Sequence, residues 1–204
     1  VIDVGGLHVL PGAVDTHVHL MDPGETERED FPSGTAAAAA SGVTTIVEHT
    51  HSHPVRTAED LRAKKDYLRG RSHVDFGLAA HAWPGLPTSV QELWQAGIAF
   101  FKVFTCTTHG VPGHNAHALW THLQESAAVD AVSLIHCEDE SLTEGAENVL
   151  RAAGRTDGGL LPEWRNREAE LIAAVGAGLL VRHSGARATV AHVSNPEVAS
   201  YLRA

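Results

Sequence analysis

The chain has 204 residues, 43% of them hydrophobic, with 15 basic and 25 acidic side chains and a net charge near −10. That length can bury one good-sized core, and the absence of any concentrated basic patch argues against a nucleic-acid partner. The apolar runs are short and broken by Gly or charge, which excludes a membrane span, and no signal peptide is visible. Two cysteines, Cys106 and Cys137, are too few for a disulfide framework and fit a reducing, cytoplasmic compartment. Histidine is the outlier: its 15 copies equal Lys and Arg together, which raises the expectation of a metal or acid–base site.

The opening "VIDVGGLHVLPG" reads as a short β-ribbon that feeds through a Pro-Gly turn into a first strand, "AVDTHVHL" (13–20). A helix follows over "SGTAAAAASG", with Ser33 at its start and Gly42 at its end, and then a second strand, "VTTIVEHT" (43–50). In "TAEDLRAKKDYLRG", Thr57 and Asp60 stand at capping-box spacing and Gly70 stops the helix. The third strand is "VDFGLAAH" (74–81). The helix "TSVQELWQAG" after it pairs Thr88 with Gln91 and ends at Gly97. "IAFFKVFT" (98–105) and "AVSLIHCE" (131–138) are the fourth and fifth strands, with a helix over 115–128 between them and helices over 139–153 and 163–183 beyond. "RATVAHVS" (187–194) is the sixth strand, and Asn195 with Pro196 opens a last helix as cap and first helical residue. Strands apolar on both faces, alternating with helices, predict an α/β fold with a parallel sheet or a (β/α) barrel.

Within this frame the polar residues come late in their apolar runs. His17 and His19 are two apart in a strand, so their side chains leave one face within reach of a single ion. Lys102 follows "IAFF", His136 follows "AVSLI" and His192 follows "ATVA". In a (β/α) barrel, catalytic groups come from the C-terminal ends of several strands. Four strands obeying that rule together outweigh the reading of each as a core histidine or a snorkelling lysine. By default His49, His51 and His53 read as loop or rim residues, as do Glu48, His81 and Asp139 at strand ends. His8, His73, His114, His117, His122 and His183 read as surface residues, and the two cysteines as small buried thiols.

"VLPGAVDTHVHLMDPGETEREDFPSGTAAAAASGVTTIV", "FFKVFT", "LIHCEDE" and "AHVSN" resemble the cyclic amidohydrolases: allantoinase, hydantoinase and dihydroorotase. The similarity runs in consistent order from Val1 to the end. The resemblance implies a TIM-type (β/α)₈ barrel beside a small β-domain, with residues 1–10 a remnant of that domain and 11–204 about six of the eight βα units. It implies two Zn²⁺ ions, one on His17 and His19 and the other on His136 and His192. It also implies a CO2-derived carbamate on Lys102 bridging them, with Lys102, His136 and His192 in catalytic roles. A carbamate suits that place because it is an anion with two oxygens on a long stem, and burial favours the neutral amine that captures CO2. The family's last ligand and base is an Asp ending strand eight. The chain ends about ten residues after His192, so it reads as an N-terminal part that is inactive by itself. A small cyclic amide substrate and a homo-oligomer are further implications. Met21 stands where dihydroorotases usually carry Arg, "EHTHS" where they carry "MPN", and Thr107 where hydantoinases usually carry Tyr. "DPGETEREDF" looks like the allantoinase first loop. These features favour an allantoinase-like reading over hydantoinase or dihydroorotase, and the complete set of five ligands favours an enzyme over a non-catalytic binding homologue.

Overall fold

β-Branched and aromatic side chains fill both faces of a pleated strand, so the apolar runs pair with one another and bury under helices. A computed structural model describes residues 1–85 and 89–204. Its strands are β1 (Ala13–Val18), β2 (Val43–Glu48), β3 (Asp75–Leu78), β4 (Ala80–His81), β5 (Phe101–Phe104), β6 (Val132–His136) and β7 (Arg187–Val190). Its helices are α1 (Phe31–Ala40), α2 (Ala58–Leu68), α3 (Val90–Gln95), α4 (Ala116–Ala128), α5 (Glu140–Ala152), α6 (Leu161–Trp164), α7 (Arg167–Ser184) and α8 (Pro196–Arg203). The strands pair in parallel in two ladders, β1-β2-β3 and β4-β5-β6-β7. This is the predicted parallel α/β architecture, in part of a barrel.

The third predicted strand divides at one residue. Ala79 donates its N–H to the Glu48 carbonyl on the β2 side, whereas Ala80 donates to the Phe100 carbonyl on the β5 side. Neighbouring backbone groups of an extended strand point to opposite sides, and the Leu78 carbonyl already accepts from the Ala99 N–H at 2.9 Å, so this stretch is bonded to β2 on one side and to the β5 segment on the other.

Strand alternation sorts the core into two layers. Ile46, Phe101, Val103 and Ile135 face the helices and pack with Phe31, Leu61, Leu68 and Leu123. Val47, Ala79, Phe100, Leu134 and Ala191 form a separate apolar cluster on the opposite, inner face.

The helix boundaries follow local chemistry. The capping box of Thr57 and Asp60 forms as predicted, and Asn195 caps α8. Helix α1 starts earlier than Ser33: Asp30 is its cap, and its side chain accepts the Ser33 N–H. The helix expected over 163–183 is interrupted because Asn166 accepts the Ala169 N–H and restarts the chain as α7. Gly185 ends α7 with φ 71°, a left-handed conformation that glycine adopts without a Cβ clash. Ser89 caps α3, and the Thr88 position lies outside the described residues.

Residues 1–12 carry a turn at Gly5–Gly6 and no strand among the described residues, so the expected ribbon is not formed. Val1, Ile2, Leu7, Val9 and Leu10 are exposed. His114 and His122, read as surface residues, are buried. Each has a partner that makes burial tolerable: the Phe104 carbonyl accepts from His114 Nδ1 at 3.1 Å, and His122 Nε2 meets Ser133 Oγ at 2.9 Å. No helix among the described residues is long and apolar enough to cross a membrane.

Candidate active site

The inner apolar cluster is a floor, and the polar groups stand one inward step above it. Two residues beyond Val47, Ala79, Phe100 and Leu134 come His49, His81, Lys102 and His136, each on the same strand face as its floor residue. His192 follows Ala191 directly and departs from this parity. Its φ of 34° is a strained conformation for a non-glycine residue, and with it His192 Nε2 lies 2.9 Å from His136 Nδ1. His17 and His19 project from the end of β1 with ring centroids 5.3 Å apart, and His17 lies 5.4 Å from His192.

All five residues singled out from the sequence, His17, His19, Lys102, His136 and His192, line one cavity of about 770 Å³. Lys102 is 1% exposed, and none of the ion pairs among the described residues includes it. Its ammonium lies 5.2 Å from the centre of the Phe104 ring. Burial lowers its pKa to about 8. Burial, and then the charge of Lys102, lowers His17 and His19 to about 4 each, so both rings are neutral and free to coordinate near pH 7. His192 is lowered as well, first by burial and then by His136.

Outer contacts hold these rings in place. His136 Nε2 meets Glu138 Oε2 at 2.7 Å. Glu138 is also paired with Arg165, which donates to Thr108 Oγ1 at 3.0 Å. Burial works to raise the Glu138 pKa, but the His136 hydrogen bond and the Arg165 guanidinium hold it below the ordinary glutamate value. His19 Nδ1 donates to the His49 carbonyl at 3.1 Å.

Several residues differ from their reading as rim groups. His49 is 1% exposed, and His81 is buried as well. His51 lines the cavity and stacks on His109, rings parallel to within 2° at 4.2 Å. His53 is exposed and outside the cavity. Glu48 faces the helices, where its Oε2 lies 2.6 Å from the buried Lys64 ammonium in a charge contact rather than an aligned hydrogen bond. Asp139 caps α5. Cys106 and Cys137 are buried, with burial pushing each thiol up to about 12. His109, Glu138 and Arg165 were not singled out from the sequence. His109 and Arg165 lie in loops with no periodic signal, whereas Glu138, two residues beyond His136, could have been found from strand alternation.

A parallel βα sheet with a polar cavity where its strands end is the architecture of (β/α)-barrel proteins. The chain belongs to the amidohydrolase family, which it matches over residues 8–202. It is 37% identical to an allantoinase of Rubrobacter xylanophilus over 198 residues, 95% of this chain and 43% of that protein. It is 33% identical to an L-hydantoinase of Paenarthrobacter aurescens, covering 96% of this chain and 44% of the relative. Among solved structures, the L-hydantoinase (dihydropyrimidinase) from Arthrobacter aurescens superposes with a TM-score of 0.85 at 31% identity, over 94% of this chain and 43% of that one. The chain therefore spans under half the length of these relatives.

Proteins of this family generally use a metal ion. The donor set fits one: ligand atoms of His17, His19 and His49 lie within 4.8 Å of one another, as do those of Cys106, His136 and Glu138. Neutral imidazoles suit zinc and related transition metals.

Proposed function

We propose that the whole protein hydrolyses the endocyclic amide bond of a cyclic ureide in the manner of an allantoinase. In this reading His17 and His19 hold one zinc ion, His136 and His192 a second, and a carboxylated Lys102 joins them. The observation that carries it is the convergence of these five side chains on one cavity above an apolar floor. The bound metals supply Lewis acidity, polarising the amide carbonyl and activating water.

The protein's own groups prepare that chemistry. With its pKa near 8, about a tenth of Lys102 is neutral amine at pH 7, against well under a thousandth for an ordinary lysine. The neutral amine adds to CO2, forming an N–C bond and releasing one proton, and the product is an anion with two donor oxygens. Glu138 fixes the His136 ring through Nε2 and leaves Nδ1 facing the cavity side, towards His192. The His49 carbonyl fixes His19 through Nδ1 and leaves Nε2 free.

Charge at the cavity wall supports an uncharged ring. Arg28 lines the cavity, but Glu25 pairs with it at 3.0 Å. Met21, where a carboxylate-binding Arg would stand in a dihydroorotase, is buried against Thr50, whose hydroxyl meets its sulfur at 3.1 Å. The test is the zinc-loaded protein on allantoin, hydantoin and dihydroorotate, with metal content measured alongside. Allantoin should turn over fastest. Lys102→Ala should lose activity and at least one metal, with partial recovery of both on adding acetate. Full activity with two metals per chain in Lys102→Ala would rule out the bridging role.

A further inference from the structure

His49 is left without a task by the five-ligand reading, yet it sits at the centre of the site's first half. Strands β1 and β2 run parallel with Val18 opposite Glu48, and the ladder continues one step, because the His49 N–H donates to the Val18 carbonyl at 3.0 Å. Glu48 points to the helices, where it meets Lys64 on α2. Alternation then turns His49 inward, to the side taken by His17 and His19. Its ring centroid lies 4.3 Å from that of His19 and 4.7 Å from that of His17. The ligand atoms of all three lie within 4.8 Å of one another.

His49 is only 1% exposed, and neither of its ring nitrogens has a hydrogen-bond partner among the described residues. His114 and His122 are also buried, and each of them has one. A buried imidazole with neither nitrogen engaged is costly in an apolar setting, and a metal ion would engage one of them. The neighbouring backbone is arranged for the same end. The His49 carbonyl accepts from His19 Nδ1, the outer contact usual for a metal-ligating histidine, so one residue orients a ligand through its backbone and offers a second through its ring. His81 also has two unengaged nitrogens, but its ring is 6.4 Å from that of His49 and falls outside the trio.

We propose that His49 is a third protein ligand at the metal position of His17 and His19, so that the corner formed by β1 and β2 holds that ion with three imidazoles. The proposal rests on the reading of His17 and His19 as ligands. Three neutral donors leave that metal with less anionic compensation than a carboxylate-rich set.

The experiment titrates metal-free protein with Co²⁺ against a competing chelator and follows visible absorption. Unsubstituted protein is compared with His49→Gln, His49→Leu and His19→Ala. X-ray absorption of a His136→Ala/His192→Ala protein carrying one Co²⁺ counts the imidazoles bound at this position. Three imidazoles, and a loss of affinity of tenfold or more in both His49 variants, are expected. The metal-free His49→Leu protein should melt no lower than the unsubstituted one, since it removes two unengaged nitrogens, and this separates lost ligation from lost folding. A count of two, or His49 variants within twofold of the unsubstituted affinity while His19→Ala loses binding, would overturn the third ligand and leave the underlying reading intact. Unchanged binding in His19→Ala would overturn both.

Discussion

The histidines of the cavity make the metal-free protein acid-sensitive in a definite window. In the unfolded chain each protonates near pH 6.5, whereas in the fold His17 and His19 resist until about 4 and His51 until about 3, burial being the main cause. Between these limits the unfolded state binds more protons, so stability falls as pH drops from about 6.5 towards 4. Urea unfolding of metal-free protein at pH 7 and pH 5 should differ by about 1 kcal/mol per histidine, allowing for solvent screening. Glu138 offers a second test. Glu138→Gln keeps the shape of the His136 contact but removes its charge, and a roughly tenfold loss of metal affinity is expected from competition titration. His17, His19, Lys102, His136 and His192 were legible because a polar residue ending an apolar strand conflicts with its surroundings. His49 carried the same conflict, but it stood in "EHTHSH", where a loop explained every histidine equally well. His109 and Arg165 gave no signal, because loops bring them to His51 and Glu138 and no period records that.

Among the elements, α2 is tied to β2 by the buried Lys64–Glu48 pair, both side chains less than 10% exposed. Burial raises the Glu48 pKa even with Lys64 beside it, so the carboxylate depends on its partner. Lys64→Met should therefore cost about 3–5 kcal/mol, read as a lower urea midpoint, and a second change, Glu48→Leu, should recover much of it by leaving no buried charge alone. Most of the elements were legible, since strand composition and the Thr57 and Asn195 caps are local features. The division between β3 and β4 was not. "GLAAH" reads as one strand, and the uneven step on its β5 side, where Leu78 meets Ala99 but Ala80 pairs with Phe101, is decided by tertiary contacts that leave no mark on the run itself. The break at Asn166 lay in residues that also suit a helix interior, so only the cap geometry reveals it.

Across the molecule, the outermost strands differ from the central ones. Strand β5 is buried throughout, whereas Ala13–Thr16 of β1 and alternate residues of β7 are exposed. Among the described residues, β1 and β7 each have a strand partner on one side, and an open edge is a template for pairing with another chain. Residues 1–204 expressed by themselves should therefore associate, and Val14→Lys with Thr189→Lys should shift sedimentation towards the monomer. The junction of the two ladders around Ala79 also has a mechanical meaning. His17, His19 and His49 ride on the ladder before it, and Lys102, His136 and His192 on or next to the ladder after it. Spacing within each trio is stiffened by several parallel hydrogen bonds. Spacing between the trios passes through residues 78–82, where the Leu78 carbonyl accepts from Ala99 and the Ala80 N–H donates to Phe100, so hydrogen bonds join the two ladders there as well. The gap between the two trios is therefore ruled off by the same kind of backbone bonds that space each trio, like graduations along one scale.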